Sequence, residues 1–325
     1  MRAILLAALL AMAAQPALAS GYDKRSEVHA FIREMAERHG FVETELRFLF
    51  SRTRKREPIL QAIVPQEGRR ARAWSEYRGL FVNERLVQGG LAFWKAHAAA
   101  LARAEREYGV PPETIVAIIG IETLYGRNMG KWRVVDALTT LAFDYPPRAE
   151  FFRGELENYL VFARDFGFDV FSVHGSYAGA IGIPQFMPGS YLRYAVDFDG
   201  NGRIDLRGSP TDAIGSVANF LRQHGWRPGE PVSYPASVSG EAWRAYADGS
   251  VLPKHALADM QNNGIAFSAG AAPAEGILIE LGNRDEPAEY RVGLQNFYVI
   301  TRYNRSSFYA SAVTDLGAAL RAARQ

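Results

Sequence analysis

The stretch Ile115-Val116-Ala117-Ile118-Ile119-Gly120-Ile121-Glu122-Thr123-Leu124-Tyr125-Gly126 is apolar on nearly every side until its end. A run of this kind marks a helix through the middle of a domain rather than along its surface. Pro111-Pro112 open it, since proline fits a first helical turn where its missing N–H is not needed. Glu122 interrupts the run. Ile119, Ile118 and Ile115 lie three, four and seven positions before it, so helical geometry sets its carboxylate on an apolar stripe. Burial there disfavours the charged form and raises the pKa, the tuning a general acid needs near neutral pH. The helix pattern alone equally admits a glutamate at a frayed end, solvated or paired with an arginine.

Outward from this helix the chain reads as mostly helical. Val28, Phe31, Ile32 and Met35 recur at helical spacing and Gly40 supplies a stop; Leu46, Leu49 and Phe50 continue the pattern. Arg52, Arg54, Lys55 and Arg56 read as a solvated basic face. Leu86, Leu91, Phe93, Trp94, Ala98, Leu101 and Ala102 predict one long helix over 84–108, ended by Gly109. From about Gly229 the texture turns to Pro, Ser and Gly. The runs 276–281 and 290–300, rich in Ile, Val, Tyr and Phe, predict strands. Ala312, Val313, Leu316 and Leu320 then restore a helical face. The fold class expected is mainly α with a small β-rich insertion.

Two further stretches carry chemistry. Gly175-Ser176-Tyr177-Ala178-Gly179-Ala180-Ile181-Gly182-Ile183-Pro184-Gln185-Phe186-Met187-Pro188 exposes backbone at its glycines, and Ser176 and Gln185 offer neutral hydrogen-bonding groups suited to sugar hydroxyls and amides. As a pattern alone it is also compatible with a flexible loop. Asp197-x-Asp199-x-Asn201-Gly202-Arg203-x-Asp205 reproduces the start of a calcium-binding EF-hand loop, with oxygen ligands at positions 1, 3 and 5, a turn glycine at 6 and the Arg203 carbonyl at 7. Position 12 is Gly208, so the usual bidentate glutamate is missing.

Composition narrows the function. The chain has 325 residues, 48% of them hydrophobic and 22% charged, enough to build a sizeable core. A formal net charge of +2 gives no whole-molecule field for nucleic acid, and no nucleic-acid partner is expected. The absence of cysteine excludes disulfides, thiolate metal sites, cysteine nucleophiles and a lipid-modified N-terminal cysteine. Met1-Arg2, the apolar run Ala3 to Ala14 and Ala17-Leu18-Ala19 form a secretory leader, with cleavage expected before Ser20. No other stretch holds about 18 consecutive apolar residues. The expected product is an unlipidated periplasmic monomer without stable membrane insertion.

Ile121-Glu122-Thr123-x-Tyr125-Gly126, the Gly175 to Pro188 segment and Asp212-Ala213-Ile214-Gly215-Ser216-Val217-Ala218-Asn219-Phe220 together resemble the membrane-bound lytic murein transglycosylase B family, glycoside-cleaving enzymes with a lysozyme-like core. The resemblance runs from about Phe31 to the C-terminus. It implies a lysozyme-like α+β core with an additional helical domain, divided as 1–19 leader, 20–110 helical domain, 111–228 catalytic core with the EF-hand-like loop, 229–292 β-rich domain and 293–325 returning to the core. It implies peptidoglycan glycan strands as the partner, with contacts to wall-synthesis proteins left open, and Glu122 as sole acid and base. Cleavage between N-acetylmuramic acid and N-acetylglucosamine then leaves a 1,6-anhydromuramoyl end. By the same resemblance Ser176 orients Glu122, Gln185 contacts N-acetyl groups, Tyr303 and Asn304 close the cleft and Tyr77 lines it. Where relatives carry two arginines after Tyr-Pro, this chain has Tyr145-Pro146-Pro147-Arg148, so only Arg148 is carried over for the stem peptide. No cofactor is implied for catalysis. A structural Ca²⁺ is implied, closed by Asp212; Ser209-Pro210-Thr211-Asp212 also has the form of a capping box, which gives Asp212 a competing role. Alternatives are a hydrolytic muramidase and a non-catalytic peptidoglycan binder.

Overall fold

The computed structural model describes residues 21–64, 72–268 and 274–324; the expected leader lies outside them. The chain divides into two compact units, Met1–Lys55 and Arg56–Gln325. In the first, α1 (Ser26–His39) buries Val28, Phe31, Ile32 and Met35, the four residues whose spacing predicts it. Gly40 ends it in the left-handed region at φ 69°, donating its N–H to Ala36. Helix α2 (Glu43–Arg52) returns Leu46 and Phe50, and the Phe50 ring meets Phe31 edge-on at 6.0 Å.

The second unit begins with α3 (Glu57–Ile63), α4 (Trp74–Phe81), α5 (Glu84–Ala96), α6 (Ala98–Tyr108) and α7 (Pro112–Thr123). It continues through β1 (Trp132–Arg133), α8 (Val134–Asp144), α9 (Ala149–Asp165), β2 (His174–Gly175), α10 (Pro188–Tyr194) and α11 (Pro210–Gln223). Next come β3 (Ser233–Val238), β4 (His255–Ala256), α12 (Leu257–Asn262), β5 (Ile265–Ala266), β6 (Glu275–Leu281) and β7 (Glu289–Gly293). Helices α13 (Gln295–Tyr303) and α14 (Ser307–Arg324) complete it. Helix α7 is the axis: every residue from Pro112 to Gly120 is buried, and α5, α6, α11 and α14 pack around it. Strands β4-β6-β7-β3-β5 form one antiparallel sheet with a core of its own, in which Trp243, Leu257, Met260, Ile265, Leu278 and Val292 are buried.

Three sequence expectations are corrected. The single helix over 84–108 is two, broken at His97, whose φ of −118° and ψ of 25° leave the helical region. The break is invisible to periodicity because Trp94 and Leu101 stay seven residues apart on one face. The strand over 290–300 ends at Gly293. From Gln295 the chain is helical and buries Asn296, Phe297, Ile300 and Thr301, a helical face that overrides the β-preference of Val299 and Ile300. Arg56 is not part of a solvated face; with Arg133 it pairs with the fully buried carboxylate of Asp136.

Glycines along α5 and α7 make room for one ring. A β-carbon built on Gly120 would lie 2.6 Å from the Tyr125 hydroxyl, and one on Gly89 2.8 Å from the same ring. That ring cannot step aside, because its hydroxyl donates to the Leu86 carbonyl at 2.6 Å. Alanine ordinarily favours a helix over glycine by about 0.5–1 kcal/mol. Gly120→Ala is instead expected to destabilise by about 1–3 kcal/mol, the usual effect of overpacking. Denaturant titration measures this; an unchanged or raised midpoint would contradict the packing argument.

Candidate active site

The last turn of α7 builds the site. Leu124 and Tyr125 turn the chain out of the helix with φ of 51° and 62°, a left-handed pair without glycine. Such strain persists only where neighbours enforce it. The Leu124 N–H donates to Gly120 and the Tyr125 hydroxyl is tied to Leu86. The buried Thr123 hydroxyl donates to the Ile183 carbonyl at 2.7 Å and accepts the Gly126 N–H at 3.0 Å. Thr123 thus fastens the end of α7 to the glycine-rich segment. That segment is a built turn rather than a flexible loop: Ile181 and Phe186 exchange both backbone bonds, and the Ser176 N–H donates to Ala180.

Glu122, one residue before the end of α7, is half-buried and accepts a hydrogen bond from the Tyr309 hydroxyl at 2.7 Å. Burial pushes its carboxyl up to about 7, against the opposing pull of that hydrogen bond. Its place in the last turn, where unpaired carbonyls gather negative charge, acts in the same direction as burial. Among the described residues no arginine or lysine pairs with it, which removes the arginine-paired form of the frayed-end reading. Burial, reinforced by the nearby Glu122 charge, holds the Tyr303 and Tyr309 phenols well above their ordinary range and also raises Tyr77. All three therefore remain neutral donors. The Tyr303 and Tyr309 rings lie parallel, centroids 6.4 Å apart, and the Tyr303 hydroxyl donates to the Pro184 carbonyl.

The other expected site residues divide. Tyr77 on α4 stacks on Trp74 at 6.4 Å and meets Phe308 at 5.6 Å, close enough to Glu122 to feel its charge. Gln185 sits at φ 53° and spends its amide hydrogens on the carbonyls of Gly182 and Met129. Its amide oxygen is the group left for a ligand N–H. The Ser176 hydroxyl accepts from the N–H groups of Ala178 and Ala180; the orienting bond expected from it to Glu122 comes instead from Tyr309. Asn304 is exposed at the end of α13. Arg148 is exposed, with its guanidinium 4.3 Å above Phe151 and 5.1 Å above Phe152. Tyr309 escapes sequence reading because it begins the apolar stripe through Ala312, Val313, Leu316 and Leu320 and passes for a core residue.

The carboxylates of Asp197, Asp199 and Asp212 converge, with oxygens within 4.8 Å of one another. Asp212 is fully buried and accepts the N–H groups of Phe198, Asp199 and Asp205. Burial leads in raising its pKa, with the neighbouring Asp199 charge adding to it. It does not reach back to the backbone of Ser209, whose N–H goes to Asp205, so the reciprocal capping box is not formed. Asn201 turns its side-chain oxygen to the Arg203 N–H. Converging oxygens with no cationic side chain among them suit a hard divalent ion.

An apolar central helix thus ends in one glutamate ringed by neutral phenols. Residues 23–318 match the transglycosylase SLT domain, and the chain belongs to that family of lytic transglycosylases. It is 42% identical over 313 residues to membrane-bound lytic murein transglycosylase B of Escherichia coli, covering 90% of this chain and 82% of that protein. The crystal structure of the soluble lytic transglycosylase SltB1 of Pseudomonas aeruginosa is similar, with a TM-score of 0.86 and 47% identity over 92% of this chain and 99% of that one. Slt35 of Escherichia coli, solved in complex with calcium, superposes with a TM-score of 0.84 at 42% identity, covering 93% and 94% of the two chains. Among the described residues no helix is long and apolar enough to cross a membrane.

The raised carboxyl of Glu122 has a consequence for stability. A proton bound more tightly in the folded state contributes stability that is complete below about pH 4.5 and lost as pH rises through about 7. The loss amounts to up to about 3 kcal/mol at 1.36 kcal/mol per unit. Glu122→Gln carries no such loss. Its stability should match the wild type near pH 4 and exceed it by about 2–3 kcal/mol at pH 8, measured by urea denaturation at both values. Equal stabilities at pH 8 would refute the desolvated carboxyl.

Proposed function

We propose that this lytic transglycosylase cleaves the β-1,4 bond between N-acetylmuramic acid and N-acetylglucosamine in peptidoglycan, with Glu122 as its single acid and base. The carrying observation is one carboxyl near neutrality, bonded only to a phenol among the described residues. At pH 7 a group pushed up to about 7 is divided between its two forms, as a residue that must both give and take a proton requires. Protonated Glu122 donates to the glycosidic oxygen as the C1–O bond breaks, and N-acetylglucosamine departs as an alcohol. Charge at C1 is met by the substrate's own N-acetyl group rather than by a second carboxylate, unlike the usual paired scheme. Glu122, now ionised, takes the proton of the muramoyl C6 hydroxyl as its oxygen closes on C1. The acid is regenerated and no water is consumed. Tyr309 holds the carboxyl in place, the Gln185 amide oxygen receives an N-acetyl N–H, and Ser176, Tyr77, Tyr303 and Asn304 line the cleft. Arg148 meets the acidic stem peptide at its edge.

Glu122→Gln keeps the shape but cannot move the proton. General acid–base groups contribute about 10² to 10⁴ in rate, and a sole acid and base belongs at the upper end. Turnover of purified sacculi within tenfold of wild type would sink the assignment. Mass spectrometry of the wild-type digest separates this reading from a hydrolytic muramidase, whose products are one water heavier.

We further propose that residues 1–19 export the chain to the periplasm, that it is not lipidated, and that residues 229–292 form a β-rich domain set into the catalytic core. Asp197, Asp199, Asn201, the Arg203 carbonyl and Asp212 would hold a structural Ca²⁺. Its charge would offset three converging carboxylates. Lacking a bidentate glutamate, the loop is expected in the weak class, with Kd about 10⁻⁴ to 10⁻³ M. Added Ca²⁺ should raise Tm with the logarithm of its concentration, and Asp197→Ala should abolish the response while leaving some activity. Identical melting curves in EDTA and in millimolar Ca²⁺ would exclude the ion.

A further inference from the structure

Helix α4, which presents Tyr77 to the cleft, spans only Trp74–Phe81. So short a helix has no stability of its own, and outside contacts must set its place. At its start the Trp74 N–H donates to the Gly282 carbonyl and the Ser75 N–H to the Asn283 side chain, both at 2.9 Å, while Arg284 pairs with Glu76 at 2.8 Å. Gly282, Asn283 and Arg284 follow directly on β6. Beside Tyr77, Arg78 donates to Asp315 of α14 at 2.7 Å. The same carboxylate accepts two bonds from Arg291 of β7, at 2.6 and 3.0 Å. The Arg291 guanidinium also lies 5.4 Å from the Trp74 ring on which Tyr77 stacks. The start of α4 is therefore tied directly to the β-rich segment, and its middle indirectly, through Asp315 of α14.

We propose that Arg78, Asp315 and Arg291 form a clasp through which the β-rich segment positions Tyr77, making Arg78 a positioning residue for substrate binding. This rests on the reading of the cleft around Glu122 given above. The chemistry favours a positional role over a stabilising one. Arg291 and Asp315 are 12% and 14% exposed and joined by a bidentate pair, a rigid geometry, whereas Arg78 is 45% exposed. An ion pair so open to water adds little stability, yet it fixes the helix beside the residue that faces the cleft.

The test is Arg78→Gln in the full chain, assayed on purified peptidoglycan glycan strands. It leaves the Asp315–Arg291 pair and the bonds at the start of α4 in place and removes only the tie beside Tyr77. KM should rise about fivefold, the most a pair this exposed can give, with kcat within twofold and Tm within 3 °C of wild type. Tyr77→Ala should show the same split, and the double variant should be no worse than Tyr77→Ala alone. A KM rise below threefold, or losses that multiply in the double variant, would overturn the clasp. Glu122→Gln run alongside separates the two readings. If it retains turnover, the reading of the cleft fails; if it is inert while Arg78→Gln binds as wild type, only the clasp fails.

Discussion

The hydrogen bond from Tyr309 to Glu122 joins the first turn of α14 to the last turn of α7, and much of the second unit serves to hold its two ends still. It is a bond between a neutral donor and a carboxyl that burial keeps near neutrality. Its energy is modest, since a net hydrogen bond is worth about 1 kcal/mol. Its geometry matters more, because in the mechanism proposed above a proton is delivered to one oxygen of a bound glycan. Helix α7 supplies the desolvation with its apolar run from Ile115 to Ile121 and α14 supplies the donor, and the two helices pack directly against each other.

Holding a carboxyl at the end of an apolar helix requires that the chain leave that helix at once. Leu124 and Tyr125 do so through left-handed backbone that neither side chain favours. The strain is met by the Tyr125 ring, which plugs a slot floored by Gly89, Gly90 and Gly120, and by Thr123, whose hydroxyl serves two backbone groups. The Thr, Tyr and Gly of Glu122-Thr123-x-Tyr125-Gly126 are then the means of turning the chain. None of them needs to touch a substrate to be indispensable to Glu122.

This explains which parts were legible beforehand. Glu122 stood out because a carboxylate at helical spacing from Ile115, Ile118 and Ile119 is a local conflict that sequence records. The EF-hand-like loop is legible because Asp197, Asp199 and Asn201 fall within a few residues of one another. Asp212 is ambiguous in the sequence, since capping and ligation place an acid at the same position; the long-range N–H groups of Phe198 and Asp205 that it accepts carry no local signal. Tyr309 was hidden, because its partner lies 187 residues away and its apolar neighbours camouflage it. The strand wrongly extended to Ile300 has the same origin: Val299 and Ile300 favour β locally, while Asn296 anchors a helix by bonding the carbonyls of Arg227 and Glu230.

Why phenols rather than cations surround the glutamate follows from electrostatics. The chain carries 37 lysines and arginines, and it uses arginines beside buried acids elsewhere, at Asp136 and at Glu113. A cation beside Glu122 would favour the ionised form and typically lower its pKa by about 1–3 units, cancelling the effect of burial. Water would do the same by solvating the charge. A tyrosine orients the carboxyl at the smallest electrostatic penalty, because burial keeps its own hydroxyl protonated and it adds no charge. With Tyr77, Tyr303 and Tyr309 around one acid, hydrogen bonds and ring faces surround Glu122 without adding a charge that would fix its protonation state.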